Sequence, residues 1–172
     1  DSVQQFIESI KVDRPIWLVH SVGLGSQAYS LNGDNPYLPF VNTSPDLVIK
    51  EFEAPVKSFL LLIQNLEPII KRQAETRIVA ITSMSGIRPY IYGFSHAAAK
   101  AGFHNAIRSL ALELSHKYNS AYITEILPGI VDTGLYDSEE VIAAVQEIGE
   151  TFGYFKGRKY NRDNFPLMPP SS

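Results

Sequence analysis

The sequence predicts an α/β fold built on a parallel sheet, and three observations carry that reading. Short aliphatic runs at residues 16–19, 78–81 and 121–127 each stop at small polar residues, glycine or proline, as buried strands do at their ends. The segments before and between them repeat apolar residues at three- and four-residue steps, the period of a helix with one buried face. Strands alternating with helices of this length make a parallel sheet, because each parallel crossover needs such a connection.

Taken in order, residues 2–10 read as an amphipathic helix with Val3, Phe6, Ile7 and Ile10 on one face. Asp13-Arg14-Pro15 is a turn, and Ile16-Trp17-Leu18-Val19 is a buried strand that ends at His20-Ser21-Val22-Gly23. Residues 25–43 are polar and irregular, a loop of the length that is often functional. Ser44-Pro45-Asp46 opens a helix: Ser is the N-cap, Pro the first helical residue, and Asp sits in the first turn. That helix carries Leu47, Val48, Phe52, Val56, Phe59, Leu60, Ile63 and Leu66. Pro55 inside it predicts a kink or a division in two, and Pro68 a second irregularity. Lys71-Arg72 suit its C-terminus.

The stretch over residues 77–114 organises the rest. Ile78, Val79, Ala80 and Ile81 form a strand expected to be covered on both faces, and Thr82, Ser83, Met84, Ser85 and Gly86 break it. A loop carries Arg88, Pro89, Tyr90 and Tyr92. From about Ser95 a long helix follows, with Ala99, Phe103, Ala106, Ile107, Leu110, Ala111 and Leu114 toward the core. His96 and Lys100 are four apart and share one face near its start. Hydroxyls at a strand end therefore face an imidazole and an ammonium, at the sheet edge where open α/β folds bind ligands. Residues 116–120 are a polar turn, and the strand at 121–127 ends in Pro128-Gly129. Residues 138–149 form a short amphipathic helix with Val141, Ile142, Val145 and Ile148.

The 172 residues suffice for one domain with a core. A net charge of −3 supplies no electrostatic reason for nucleic acid or an anionic membrane as partner. Aromatic and basic residues interleave over 151–172, but the stretch is short and the chain acidic, so base stacking is set aside. Without cysteine there is neither a disulfide nor a thiolate metal site. The four histidines show no zinc-binding spacing, so no metal is expected. No apolar run is long enough to span a bilayer and no signal peptide opens the chain, which sets the expectation of a cytoplasmic protein.

Three of these features together resemble the short-chain dehydrogenase/reductase family. They are Ser83 at a strand end, Lys100 on the following helix, and the run Pro128-Gly129-Ile130-Val131-Asp132-Thr133. The family has a strand-end serine, a Tyr-x-x-x-Lys pair opening the helix, and a Pro-Gly-x-Val-x-Thr segment. Here the position of the tyrosine is His96. The resemblance implies a Rossmann-type, doubly wound parallel sheet in a single domain over residues 1–172, with a substrate lid at about 134–170. It implies NAD(H) or NADP(H) as cofactor and a small carbonyl or alcohol as substrate. Ser83, His96 and Lys100 then occupy catalytic positions. His20, Ser21, Gly23, Lys100, Pro128, Gly129, Ile130, Val131 and Thr133 take cofactor-binding ones. The family's Asn-Asn-Ala-Gly keeps only its glycine, Gly23.

In the family the tyrosine is the acid, its proton affinity lowered by the lysine, while the serine orients the carbonyl. An imidazole at His96 can serve as acid or base near neutral pH, and Tyr92 offers a phenol from another direction. Aligning the family's Asn-x-x-Gly-Pro on Ala54-Pro55 puts Glu51 where the family has its fourth catalytic residue, an asparagine. Glu51 reads equally as a solvated helix residue, and His96 as a helix residue without chemistry. Two functions follow: a short-chain-type oxidoreductase, or a catalytically degenerate subunit that scaffolds a reductase complex.

The family's glycine-rich cofactor turn has no counterpart here, and the chain begins at Asp1. The expectation is an incomplete sheet, lacking the family's first strands and its last strand. Further polypeptide, or a partner chain, should then cover the edge at residues 16–19. The family also commonly dimerises through its two long helices, here about 45–72 and 95–117. Ala97, Ala98, Ala101, Ile107 and Leu112 add small and apolar positions around the second. A homo-oligomer or a paralogous subunit is the expected partner.

Overall fold

The computed structural model describes residues 5, 7, 9–10, 15–23, 39–89, 93–118, 120–129, 131, 139–151, 153 and 156–161. Its sheet has three parallel strands, β1 (Ile16–His20), β2 (Thr76–Ile81) and β3 (Ala121–Ile126), in that spatial order. Ile16 pairs with Thr76 and His20 with Ala80, while Thr76 pairs with Ala121 and Ile81 with Ile126. The helices are α1 (Pro45–Phe52), α2 (Ser58–Ile70), α3 (Phe94–Lys117) and α4 (Glu139–Thr151). Residues 5, 7 and 9 are helical as well.

The helix over residues 45–70 starts as its sequence dictates. Ser44 Oγ accepts the amide of Leu47 at 3.1 Å, and Pro45 takes the first helical position. Pro55 sits in a π-helical turn, Glu53–Lys57, that joins α1 to α2. Proline has no N–H and crowds the preceding turn, and a wider turn absorbs both defects. Ser58 Oγ donates to the Ala54 carbonyl there at 2.5 Å. Pro68 does not interrupt α2, which runs on to Ile70. So near the helix end few bonds remain to be lost, and Arg72 Nε donates back to the Pro68 carbonyl at 3.0 Å.

One face of the sheet carries the core. Ile78 and Ala80 pack with Phe59, Ile63, Leu66, Ile69 and Ile70 of α2 and with Phe103, Ile107 and Leu114 of α3. The strand at 16–19 was expected to be buried and that at 78–81 covered on both faces, and the second face is open. Trp17 is 70% and Val19 63% exposed, Tyr122 is exposed, and Arg77 is stacked over the rings of both Trp17 and Tyr122. The odd positions of β1 and β2 point away from α2 and α3, so the apolar Trp17 and Val19 stay exposed and Val79 and Ile81 are only half-buried. One α3 position expected in the core, Ala106, is exposed, while Ile107 is buried in the core. Ala98, Ala101 and Leu112 are exposed. In α4, the Gln146 side chain accepts the Tyr160 amide at 2.9 Å and donates to the Arg158 carbonyl at 3.1 Å. That ties the segment after the helix back onto it. Among the described residues, no helix is long and apolar enough to cross a membrane.

Candidate active site

The loops after β2 and β3 are sewn together. Thr82 N donates to the Ile126 carbonyl at 2.9 Å, and Met84 N donates to the Pro128 carbonyl at 3.0 Å. These bonds bring the residues flanking Ser83 beside Pro128. Ser83 itself caps a short 3₁₀ turn, Met84–Gly86. Its Oγ accepts from the Ser85 amide at 3.2 Å and from the Ser85 hydroxyl at 2.8 Å. Both bonds are accepted, so the Ser83 hydroxyl keeps its own proton for a further acceptor.

Helix α3 brings Lys100 to both strand ends. A Cβ added at Gly86 would lie 2.9 Å from the Lys100 carbonyl oxygen, so only glycine lets the Ser83 turn rest on the helix backbone. A Cβ added at Gly23, after β1, would lie 3.4 Å from Lys100 Nζ. Lys100 is buried, with 8% exposure. Burial lowers its proton affinity, and the Glu51 carboxylate partly restores it.

Glu51 is not a solvated helix residue. It is 1% exposed, and its Oε1 lies 3.6 Å from His96 Nδ1. His96 is partly exposed. Three ionisable groups thus converge from two helices: Glu51 from α1, and His96 and Lys100 from α3.

His20 points inward and is 3% exposed. Its ring meets Phe59 and Phe103 edge-on at 5.0 and 5.7 Å, and Nε2 is 2.9 Å from Ser58 Oγ. Because the Ser58 hydroxyl donates to Ala54, His20 Nε2 is assigned as the donor in that pair. Burial, and then the Lys100 charge, lower the proton affinity of this imidazole. Ser21 and Gly23 lie exposed beyond it, Pro128 and Val131 are half-buried, and Gly129 is exposed. Tyr92, Ile130 and Thr133 lie outside the described residues.

A second polar cluster lies one helical turn further along. Thr82 Oγ1 donates to Glu125 Oε1 at 2.6 Å, and Glu125 Oε2 is 2.6 Å from His104 Nδ1. The cluster joins the residue after β2 to β3 and α3. Sequence reading passed over it. The signal was the four-residue step from Lys100 to His104, together with Glu125 at an inward position of a strand.

Residues 2–153 match the family model described as short chain dehydrogenase. The chain belongs to that family. One relative, the 3-oxoacyl-[acyl-carrier-protein] reductase FabG of Aggregatibacter actinomycetemcomitans, is 28% identical over 135 residues, 69% of this chain and 55% of that protein. The short-chain dehydrogenase virD of Hypocrea virens is 29% identical over 99 residues, 58% of this chain and 33% of its own length. The chain therefore spans about half, or less, of these two relatives. Among solved structures, the oxidoreductase yciK from E. coli superposes with a TM-score of 0.68 at 19% identity, over 99% of this chain and 58% of that one. A putative short chain dehydrogenase from Escherichia coli CFT073, complexed with NADPH, gives 0.59 at 21% identity, over 74% and 49%. At such identities the likeness establishes the fold, a short-chain Rossmann sheet with helices.

Proposed function

We propose that this chain carries the catalytic part of an NAD(H)- or NADP(H)-dependent oxidoreductase that reduces a small carbonyl compound or oxidises an alcohol. The observation that carries the reading is the buried Lys100 ammonium against the open backbone of Gly23, at the end of the sheet where the Ser83 turn also sits. A Cβ at Gly23 would stand 3.4 Å from Lys100 Nζ, so the ammonium lies directly against this exposed loop after β1. A cation with three N–H donors at that place fits the ribose hydroxyls of a nicotinamide nucleotide. When bound, the nicotinamide supplies or accepts the hydride.

The chain's residues do the rest. The Ser83 hydroxyl donates to the substrate oxygen and orients it. His96 delivers a proton to that oxygen during reduction and removes it during oxidation. Lys100 holds the nucleotide ribose. Gly23, Ser21, Pro128, Gly129, Ile130, Val131 and Thr133 frame the cofactor, and His20 supports that frame from the core. The exposed Leu60, Leu61, Ala101 and Leu112 on α2 and α3 support a homo-oligomer or a paralogous partner on those helices.

The test is nicotinamide oxidation by the full-length protein with a panel of ketones. His96→Ala should lower the rate by roughly two to four orders of magnitude, the scale of a positioned general acid. His96→Tyr should keep or raise it. Undiminished turnover in His96→Ala would remove His96 and leave Tyr92 as the acid. The histidine and glutamate at the family's tyrosine and asparagine positions favour a second reading, a non-catalytic subunit of a reductase complex. No turnover by any isolated variant, with rescue by a paralogue carrying Tyr-x-x-x-Lys, would establish that reading instead.

A further inference from the structure

The family asparagine's position holds an acid whose surroundings are unusual for a carboxylate. Glu51 is almost completely shielded from solvent, yet its Oε1 makes no hydrogen bond among the described residues. It faces one helix, with His96 Nδ1 at 3.6 Å and the buried Lys100 one turn further along the same face. A buried ionised carboxylate left without a counter-charge would cost the fold several kcal/mol, so an ionised Glu51 must be balanced by the groups it faces. We infer that Glu51 is the positioning residue of this site: its carboxylate is the counter-charge of the Lys100 ammonium and the partner that turns the His96 ring.

Among the described residues, the ionisable groups facing Lys100 are Glu51 from α1, His96 one turn before it on α3, and His20 from β1. Of these, Glu51 is the one whose charge favours the protonated lysine, and it opposes the effect of burial. Lys100 and the imidazole thus depend on one acid. The catalytic consequence rests on the oxidoreductase reading: removing the Glu51 charge should move the alkaline limb of the pH–rate profile to lower pH. The charge relation itself does not depend on turnover.

The deciding experiment reads Lys100 directly. Full-length protein labelled with ¹³C,¹⁵N-lysine is titrated by NMR, as wild type, Glu51→Gln, Glu51→Asp and His96→Gln. Glu51→Gln should move the Lys100 midpoint to lower pH. Glu51→Asp, which keeps the charge, should restore it toward wild type, and His96→Gln should leave it in place. A Lys100 midpoint unmoved or raised in Glu51→Gln overturns the inference, as does an equal shift in His96→Gln, which would mark a packing effect. Should Glu51→Gln fail to fold, the unaltered protein still decides. Its Lys100 ε-carbon resonance must respond as the Glu51 carboxyl protonates in acid, and silence there overturns the assignment. An inactive protein with the predicted titration would count against the enzyme reading alone.

Discussion

The two halves of α3 solve different problems. Toward its N-terminus the helix buries Ser95 and Lys100 and sets His96 against Glu51. Toward its C-terminus it buries Phe103, Ile107 and Leu114, and its charged groups, Arg108, Glu113 and Lys117, stay in solvent. Apolar burial is favourable wherever it occurs. Burial of an ammonium is unfavourable unless it is balanced, so the first half is held in place by the second. The lower half supplies stability, and the upper half stores a cost that chemistry at the strand ends can use.

The sharpest way to break this comparison is Phe103→Ala. Phe103 is 0% exposed and touches both Phe59 and His20. Its truncation should lower the unfolding free energy by about 3–5 kcal/mol in denaturant titration. A loss under about 1 kcal/mol would mean that the lower half does not support the upper one.

Removing both charges, in Lys100→Met combined with Glu51→Gln, should act in the opposite direction. Activity should fall about a hundredfold or more, while stability rises, because neither partner is left buried alone. Burial lowers the lysine's proton affinity and outweighs the Glu51 attraction. The protonated form therefore costs the folded state at neutral pH, and the cost disappears as pH rises through the depressed folded-state value toward that of the unfolded lysine. Melting temperatures should favour the double variant at neutral pH and converge with wild type in the alkaline range. A double variant less stable than wild type at neutral pH would reverse the assignment of cost.

Gly86→Ala probes the junction between the halves. The added Cβ would meet the backbone of Lys100, which cannot swing aside as a side chain does. The expected loss is about 1–3 kcal/mol, with activity reduced because the Ser83 turn is lifted from the helix. Full activity with full stability would show that the turn is free to shift.

The smallest effect belongs to Glu67, at the far end from the site. Hydrogen bonds from Lys71 first and from Tyr118 second hold its carboxyl at about 2, below the ordinary 4.5. Its contribution is present above the unfolded value and is lost as pH falls through about 2. Glu67→Gln should flatten stability in that acid interval and leave the neutral value nearly unchanged. Exposed pairs contribute little, so a large neutral-pH loss would contradict the assignment.

Much of this arrangement was legible from local pattern. The Ser44-Pro45 helix start, the irregularity at Pro55, the three strands and the shared face of His96 and Lys100 each depend on a few neighbouring residues. Propensity and periodicity act over that range. Burial does not. Trp17 and Val19 look like core residues until the face they point to proves uncovered, and Glu51 looks like a solvated helix residue until α3 packs over it. His20 turns inward because Phe59 and Phe103 arrive from two helices, and the Thr82–Glu125–His104 cluster joins residues up to 43 positions apart. Residue order specifies which groups can share a face. Which of them lose water, and so change their proton affinity, is set by the elements that close over them from elsewhere in the chain.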